Sequence, residues 1–177
     1  MRFLKRLLGI AIGFVILSTL VAFLLPREVQ VSRSITIYAR PDKVFPLVNS
    51  LQDWQKWSPW IALDPETKLA FSGPTSGVGN RFDWRSDHEK VGAGTQIILT
   101  STPHKHVETR LEHSERRPAR AVFELEPTAI GTTITWRYQT DTGLNPVARW
   151  KGLTMDRQIG GDYERGLTNL KSLAESL

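Results

Sequence analysis

The sequence predicts an α+β domain, an antiparallel sheet of about seven strands covered by one long carboxy-terminal helix, behind an apolar amino-terminal helix. Three observations predict it. The run from Leu7 to Leu25 carries no charge. Between Thr67 and Thr140, short alternating segments are separated by glycine and proline, the punctuation of consecutive strands. After Asn145 the period changes to that of a helix. Setting residues 1–26 apart leaves 151 residues, enough to bury roughly 70% of the unfolded chain's surface in one core. The expected division is therefore an anchor over 1–26 and one domain over 27–177.

The 19 residues from Leu7 to Leu25 include only two hydroxyls, Ser18 and Thr19. As a helix they span about 28 Å, close to the ~30 Å hydrocarbon core of a bilayer. A cleavable signal peptide is usually shorter in its apolar part and ends in a small-x-small site. Here the run ends Val21-Ala22-Phe23-Leu24-Leu25-Pro26, so an uncleaved transmembrane helix is expected. Arg2, Lys5 and Arg6 precede it, which predicts a cytoplasmic amino terminus and a domain on the periplasmic side of a bacterial inner membrane. Arg27, Arg33, Arg40 and Lys43 follow the span and weigh the other way. Gly9-x-x-x-Gly13 offers a close-approach surface for a weak homodimer, although glycine is common in membrane helices anyway.

Within the domain, Val29, Val31, Ile35 and Ile37 alternate with polar residues, giving a strand with one buried face that Arg33 interrupts. Pro41 suits the first turn of a helix, and Pro46 keeps that helix short. Ser50-Leu51-Gln52-Asp53 predicts a second short helix carrying Trp54 and Trp57, ended by Ser58-Pro59. Six strands are expected over 67–72, 79–86, 94–102, 106–113, 119–126 and 132–140. Their apolar registers include Phe82/Trp84, Val107/Thr109/Leu111, Ala121/Phe123/Leu125 and Ile134/Trp136/Tyr138. The opposite registers are charged, so the sheet has one wet face. Asn145-Pro146 is a strong helix start, and Gly160-Gly161 predicts a kink on the way to Leu177.

Composition excludes several functions. There is no cysteine, hence no thiolate catalysis, disulfide or cysteine-ligated metal. The first 26 residues hold three of the 23 basic residues, leaving 20 against 18 acidic, or +2; nucleic-acid binding loses its electrostatic support. His104-x-His106 lacks a third ligand at diagnostic spacing and reads as a solvated loop, so no metal and no cofactor are expected. Gly77-Val78-Gly79 lacks the third glycine of a dinucleotide fingerprint and reads as a hairpin turn. Glu115-Arg116-Arg117-Pro118-Ala119-Arg120 reads as a solvated turn, with anionic lipid heads as the alternative contact.

Specific stretches resemble the SRPBCC superfamily, also called START-like or birch-pollen-allergen-like, in its polyketide cyclase/dehydrase branch. They are Val31-Ser32-Arg33-Ser34-Ile35 leading to Ala39-Arg40-Pro41-Asp42-Lys43-Val44-Phe45, then Trp54-x-x-Trp57-Ser58-Pro59-Trp60. Gly131-Thr132-Thr133-Ile134-Thr135-Trp136 and Met155-Asp156 leading to Asp162-Tyr163-Glu164-x-Gly166-Leu167 complete the pattern. The resemblance implies a helix-grip, a curved sheet wrapped around the carboxy-terminal helix with an apolar cavity between them. It implies binding of an apolar or amphipathic small molecule, lipid-like in character, and confers no reaction, because the family carries no universal catalytic motif.

Residues expected to line that cavity are Phe82, Trp84, Leu111, Phe123, Trp136 and Tyr138 from the strands. Trp150, Met155 and Ile159 are expected from the helix, with Trp57 and Trp60 at an entrance. Asp156 lies seven residues before Tyr163, almost two turns, and so on the inward stripe, where Arg33 is its natural partner. That pair would orient a polar head or supply a proton, against the plainer reading of a structural ion pair. The expected function is thus a membrane-tethered binding protein. A cyclase, dehydratase or hydrolase with Asp156 as acid or base is the first alternative, and a protein-interaction module the second. An enclosed cavity marks the binder, converging titratable groups the enzyme, and a filled core with an exposed apolar face the interaction module.

Overall fold

Alternation of apolar and polar residues gives every strand one dry face, and pairing turns those faces the same way. The computed structural model describes residues 2–114 and 117–177. Strands β2 (Lys68–Ser72), β3 (Arg81–Arg85), β4 (Ala93–Thr102), β5 (His106–His113), β6 (Ala119–Thr128) and β7 (Gly131–Asp141) follow one another as an antiparallel meander. Strand β1 (Glu28–Ile37) returns to pair with β7, giving the order β1-β7-β6-β5-β4-β3-β2. Each strand lies within two residues of its predicted bounds. On the inner face, Val31, Arg33 and Ile35 stand opposite Tyr138, Trp136 and Ile134. The predicted turn at 115–120 lies partly on Glu115 and Arg116, outside the described residues; Arg120 belongs to β6 and donates to Glu108 at 2.9 Å.

Helix α2 (Pro41–Asn49) buries Val44, Phe45, Leu47 and Val48 against the sheet. The predicted second helix is a single 3-10 turn, Asp53–Lys56, with Ser50 Oγ accepting from the Asp53 backbone N–H at 3.3 Å. Helix α3 (Pro146–Glu175) begins where predicted, and Asn145 Oδ1 accepts from the N–H groups of Val147 and Ala148. It runs through Gly160-Gly161 as one continuous helix. The fold is the helix-grip: a seven-stranded antiparallel sheet with a long carboxy-terminal helix.

Helix α1 (Arg2–Ala22) is apolar over Phe3–Ala22, with mean hydropathy 1.9, and of these residues Ala22 at its end is the one that is buried. It is long and apolar enough to cross a membrane, as a signal sequence would also be.

Candidate functional site

The inner face of the sheet converges on Trp136. Its ring stacks on Tyr163 of α3 at 3.7 Å and on Phe123 of β6 at 5.1 Å. Trp54 and Trp57 meet it edge-on at 5.8 and 5.5 Å, and Trp60 closes the rim at 5.9 Å. Stacked and edge-to-face pairs of this kind gain energy beyond the area they bury. Helix α3 comes this close because Gly166 has no side chain; a Cβ there would stand 2.8 Å from Trp136 Cζ3 and 3.2 Å from Pro59 Cδ. The aromatic layer continues over Phe82, which stacks with Phe71 at 5.9 Å, to Trp84.

Rings therefore fill the centre of the space expected to be a cavity. The two best-formed depressions among the described residues are open grooves. One runs beside the outer flank of α3, between Pro59, Leu63 and Glu164; the other lies between Trp150 and α1.

Polar groups inside this apolar layer divide into two sets. Trp57 Nε1 donates to Leu47 O at 3.0 Å, and Trp84 Nε1 to Val91 O at 3.2 Å. Gln96, fully buried on β4, donates through Nε2 to Thr109 Oγ1 at 2.9 Å. Trp54 Nε1, Trp136 Nε1 and Gln96 Oε1 are buried with no partner. Each such orphan costs about 1–3 kcal/mol, so two donors and one acceptor are the unsatisfied polar groups of this layer among the described residues.

Arg33 points to the inner face in register with Trp136, but its guanidinium leaves the interior. It crosses α3 over Gly160, where a Cβ would collide with Nη2, and reaches Asp156 at 2.8 Å and Glu164 at 2.7 Å. The hydrogen bond from Arg33 holds the Asp156 carboxyl below the usual carboxylate range, and the two acids raise the guanidinium further. Asp156 has a side-chain exposure of 62%, so the expected inward acid is an exposed ion-pair member. Its helical phase is as predicted. The difference is that α3 at this level lies over the edge strand β1, and nothing covers the carboxylate. An ionised, exposed carboxylate has no proton to give near neutral pH, so the acid half of the acid–base reading loses its residue, while the carboxylate is engaged by Arg33.

Phe82, Trp84, Phe123, Trp136 and Tyr138 lie on the inner side as expected from their registers, whereas Trp57, expected at an entrance, is fully buried in the core because the 3-10 turn folds it onto Phe123 and Trp136. Leu111, Trp60, Met155 and Ile159 are half-buried against the same core. Trp150 is a correction: it is 41% exposed and donates through Nε1 to Ser18 O of α1. Thirteen residues before Tyr163 places it about 140° from the inward stripe, since each residue turns a helix by 100°. The stripe is held instead by Arg149, Gly152 and Ile159. Sequence reasoning missed Gln96, whose register Gly94/Gln96/Ile98 carries little apolar signal, and gave Trp54 no place in the site. His104 packs its ring 5.4 Å from Phe45, and His106 contacts Thr100. Among the described residues no group of three His, Asp or Glu side chains stands together to hold a metal.

Comparison with known proteins bears on this arrangement. The di-domain ARO/CYC StfQ from the steffimycin biosynthetic pathway superposes with a TM-score of 0.65 at 12% identity, over 84% of this chain and 51% of that one. A Staphylococcus aureus protein of unknown function, SA2116, gives 0.63 at 11% identity, over 84% and 94%. Protein CV1439 from Chromobacterium violaceum gives 0.59 at 14%, over 85% and 99%. At these identities the likeness is one of fold. No curated protein matches the chain. Residues 28–175 match the family described as polyketide cyclase / dehydrase and lipid transport, a match that takes in every strand and all of α3, and the chain belongs to that family.

Proposed function

We propose that this chain is a membrane-tethered binding protein for an apolar or amphipathic small molecule, admitted between the sheet and α3. The observation that carries the reading is the set of orphaned polar atoms, Trp54 Nε1, Trp136 Nε1 and Gln96 Oε1, inside an otherwise aromatic interior. An amphipathic guest offers one polar group to such atoms and an apolar body to the rings. The family's description, which includes lipid transport, supports the same direction. Entry is along α3 where the half-buried Met155 and Ile159 face the sheet, and the guest must displace rings to be seated. Helix α1 is the tether, with the domain on the periplasmic side of a bacterial inner membrane. The filled aromatic centre favours a second reading, a protein-interaction module that never takes a guest.

One experiment separates them. Full-length protein in lipid nanodiscs is photolabelled with diazirine-bearing fatty acid and polycyclic aromatic probes, and the labelled residues are identified by mass spectrometry. Labels on Trp136, Phe123 or Tyr163 are expected from the binder. Labelling confined to α1 and the outer groove would reject it and leave the interaction module.

A further inference from the structure

The junction of α1 and α3 holds a second arrangement. Arg149 is nearly buried, and among the described residues its guanidinium makes no ion pair. Nη1 donates to the carbonyls of Ala22 (3.4 Å), Phe23 (3.0 Å) and Leu25 (3.3 Å), and Nε to Gly143 O (3.0 Å). Its carbon lies 5.2 Å over the Phe23 ring. The last carbonyls of a helix lack partners within it and carry its negative dipole end, so a cation there caps α1. The end of α1 is thereby fixed to the first turn of α3.

Trp150 reaches further back. Its Nε1 donates to Ser18 O at 3.2 Å, and its ring shares an apolar groove with Phe14, Leu17 and Val21. Ser18 lies four residues before Ala22, the end of α1, or about 6 Å along the helix at 1.5 Å per residue. Val147 and Leu153, also exposed, stand three residues to either side of Trp150 on the same face of α3, and Leu144 is exposed just before the helix. The exposed basic residue Lys151 follows Trp150 directly, and Arg157 lies about two turns further on. A bilayer that takes in α1 past Ser18 must take in the Trp150 ring as well, because the two are in contact, and Val147 and Leu153 adjoin that ring on the same face of α3.

We propose that Leu144, Val147, Trp150 and Leu153 form a membrane-docking face that sits in the headgroup–acyl boundary of a lipid bilayer, with Lys151 and Arg157 at the level of the lipid phosphates. The inference rests on reading α1 as a span. An apolar face rimmed by basic residues suits that boundary, where such faces settle about 5–10 Å deep. Trp is at home there, with its ring in the apolar layer and its N–H satisfied.

The absence of cysteine makes the test direct. Nitroxide labels are attached singly at Phe14→Cys, Val147→Cys, Leu153→Cys and Val78→Cys, all exposed positions, Val78 being in the β2–β3 turn at the far edge of the sheet. Each full-length variant is reconstituted in phosphatidylethanolamine–phosphatidylglycerol vesicles. Collision with oxygen, which favours lipid, is compared with collision with a water-soluble nickel chelate. The labels at Val147 and Leu153 should share Phe14's preference for oxygen, with several-fold fewer chelate collisions than Val78. If both match Val78 while Phe14 remains in lipid, the docking face is overturned and the span survives. Chelate access at Phe14 as well would overturn the span and the docking face together. Chelate protection at Val147 with strong spin–spin broadening would assign the face to a second copy of the chain and also overturn the proposal.

Discussion

The two halves of α3 have similar access to apolar residues and use them in opposite directions. From Tyr163 to Ala174 the apolar side chains point inward: Tyr163, Leu167, Leu170 and Ala174 are buried, and Gly166 brings the backbone up to Trp136. From Pro146 to Ile159 the inward positions go to Arg149, Gly152, Met155 and Ile159, while Val147, Trp150 and Leu153 face out. The second half is a core element. The first half is a bracket between the domain and α1, held by hydrogen bonds. One helix thus belongs to two environments, and its sequence changes character where Arg33 crosses Gly160.

That contrast can be broken most decisively at its two tryptophans. Trp136→Ala removes the ring on which Phe123 and Tyr163 stack and should cost about 3–5 kcal/mol. Trp150→Ala removes an exposed ring and should stay within about 1 kcal/mol. Urea denaturation of the full-length protein in detergent, followed by far-ultraviolet circular dichroism, reads both. Equal losses would mean that the first half is core after all.

A smaller effect sharpens the claim that the first half is held by polar contacts. Asn145→Ala leaves the N–H groups of Val147 and Ala148 without their acceptor and should cost about 1 kcal/mol by the same denaturation. No measurable change would show that packing alone fixes the start of α3.

The smallest effect on stability lies at the boundary between the halves. Gly160→Ala gains about 1 kcal/mol of helix propensity but displaces the Arg33 guanidinium from between Asp156 and Glu164, so the melt should hardly move. The carboxyl group should report the change. The hydrogen bond from Arg33 depresses the folded-state pKa of Asp156, so its contribution to stability is present above the unfolded value of about 3.9 and is lost as pH falls through the folded value. In the variant the Asp156 titration, followed by carboxyl carbon resonances, should move up toward that unfolded value. An unmoved titration would show that Arg33 reaches Asp156 by another route.

The fold was legible because six consecutive strands each keep a charged face outside, so turns and alternation agree along the chain. The site was legible only where a strand fixed the direction: Phe82, Phe123 and Trp136 could be turned inward from period two alone. A helix residue needs to know what lies opposite. Asp156 has the right phase and the expected partner, Arg33, but the pair lies over the edge strand and stays exposed. Trp150 has an apolar partner as expected, but on α1, and no local pattern distinguishes one apolar surface from another. Gln96 was invisible because a polar residue on an inner face looks like a break in the strand's pattern. Whether rings leave a space between them depends on contacts such as that of Gly166 with Trp136, which join residues far apart in sequence.

The fastening at Arg149 also removes any linker. Between Ala22 and Glu28 only Phe23 to Arg27 intervene, and most are tied down: the carbonyls of Phe23 and Leu25 by Arg149, and that of Arg27 by Thr142. Arg27 also grips Asp141, whose carboxyl is pulled down to about 2, so this tie persists well into acid. The domain therefore has no leash on which to swing. It inherits its tilt and height from whatever surrounds α1. Under the proposed function, with α1 in a bilayer, the domain would meet only molecules that arrive within its own thickness of that surface, and its search for a guest would be reduced from a volume to a thin layer.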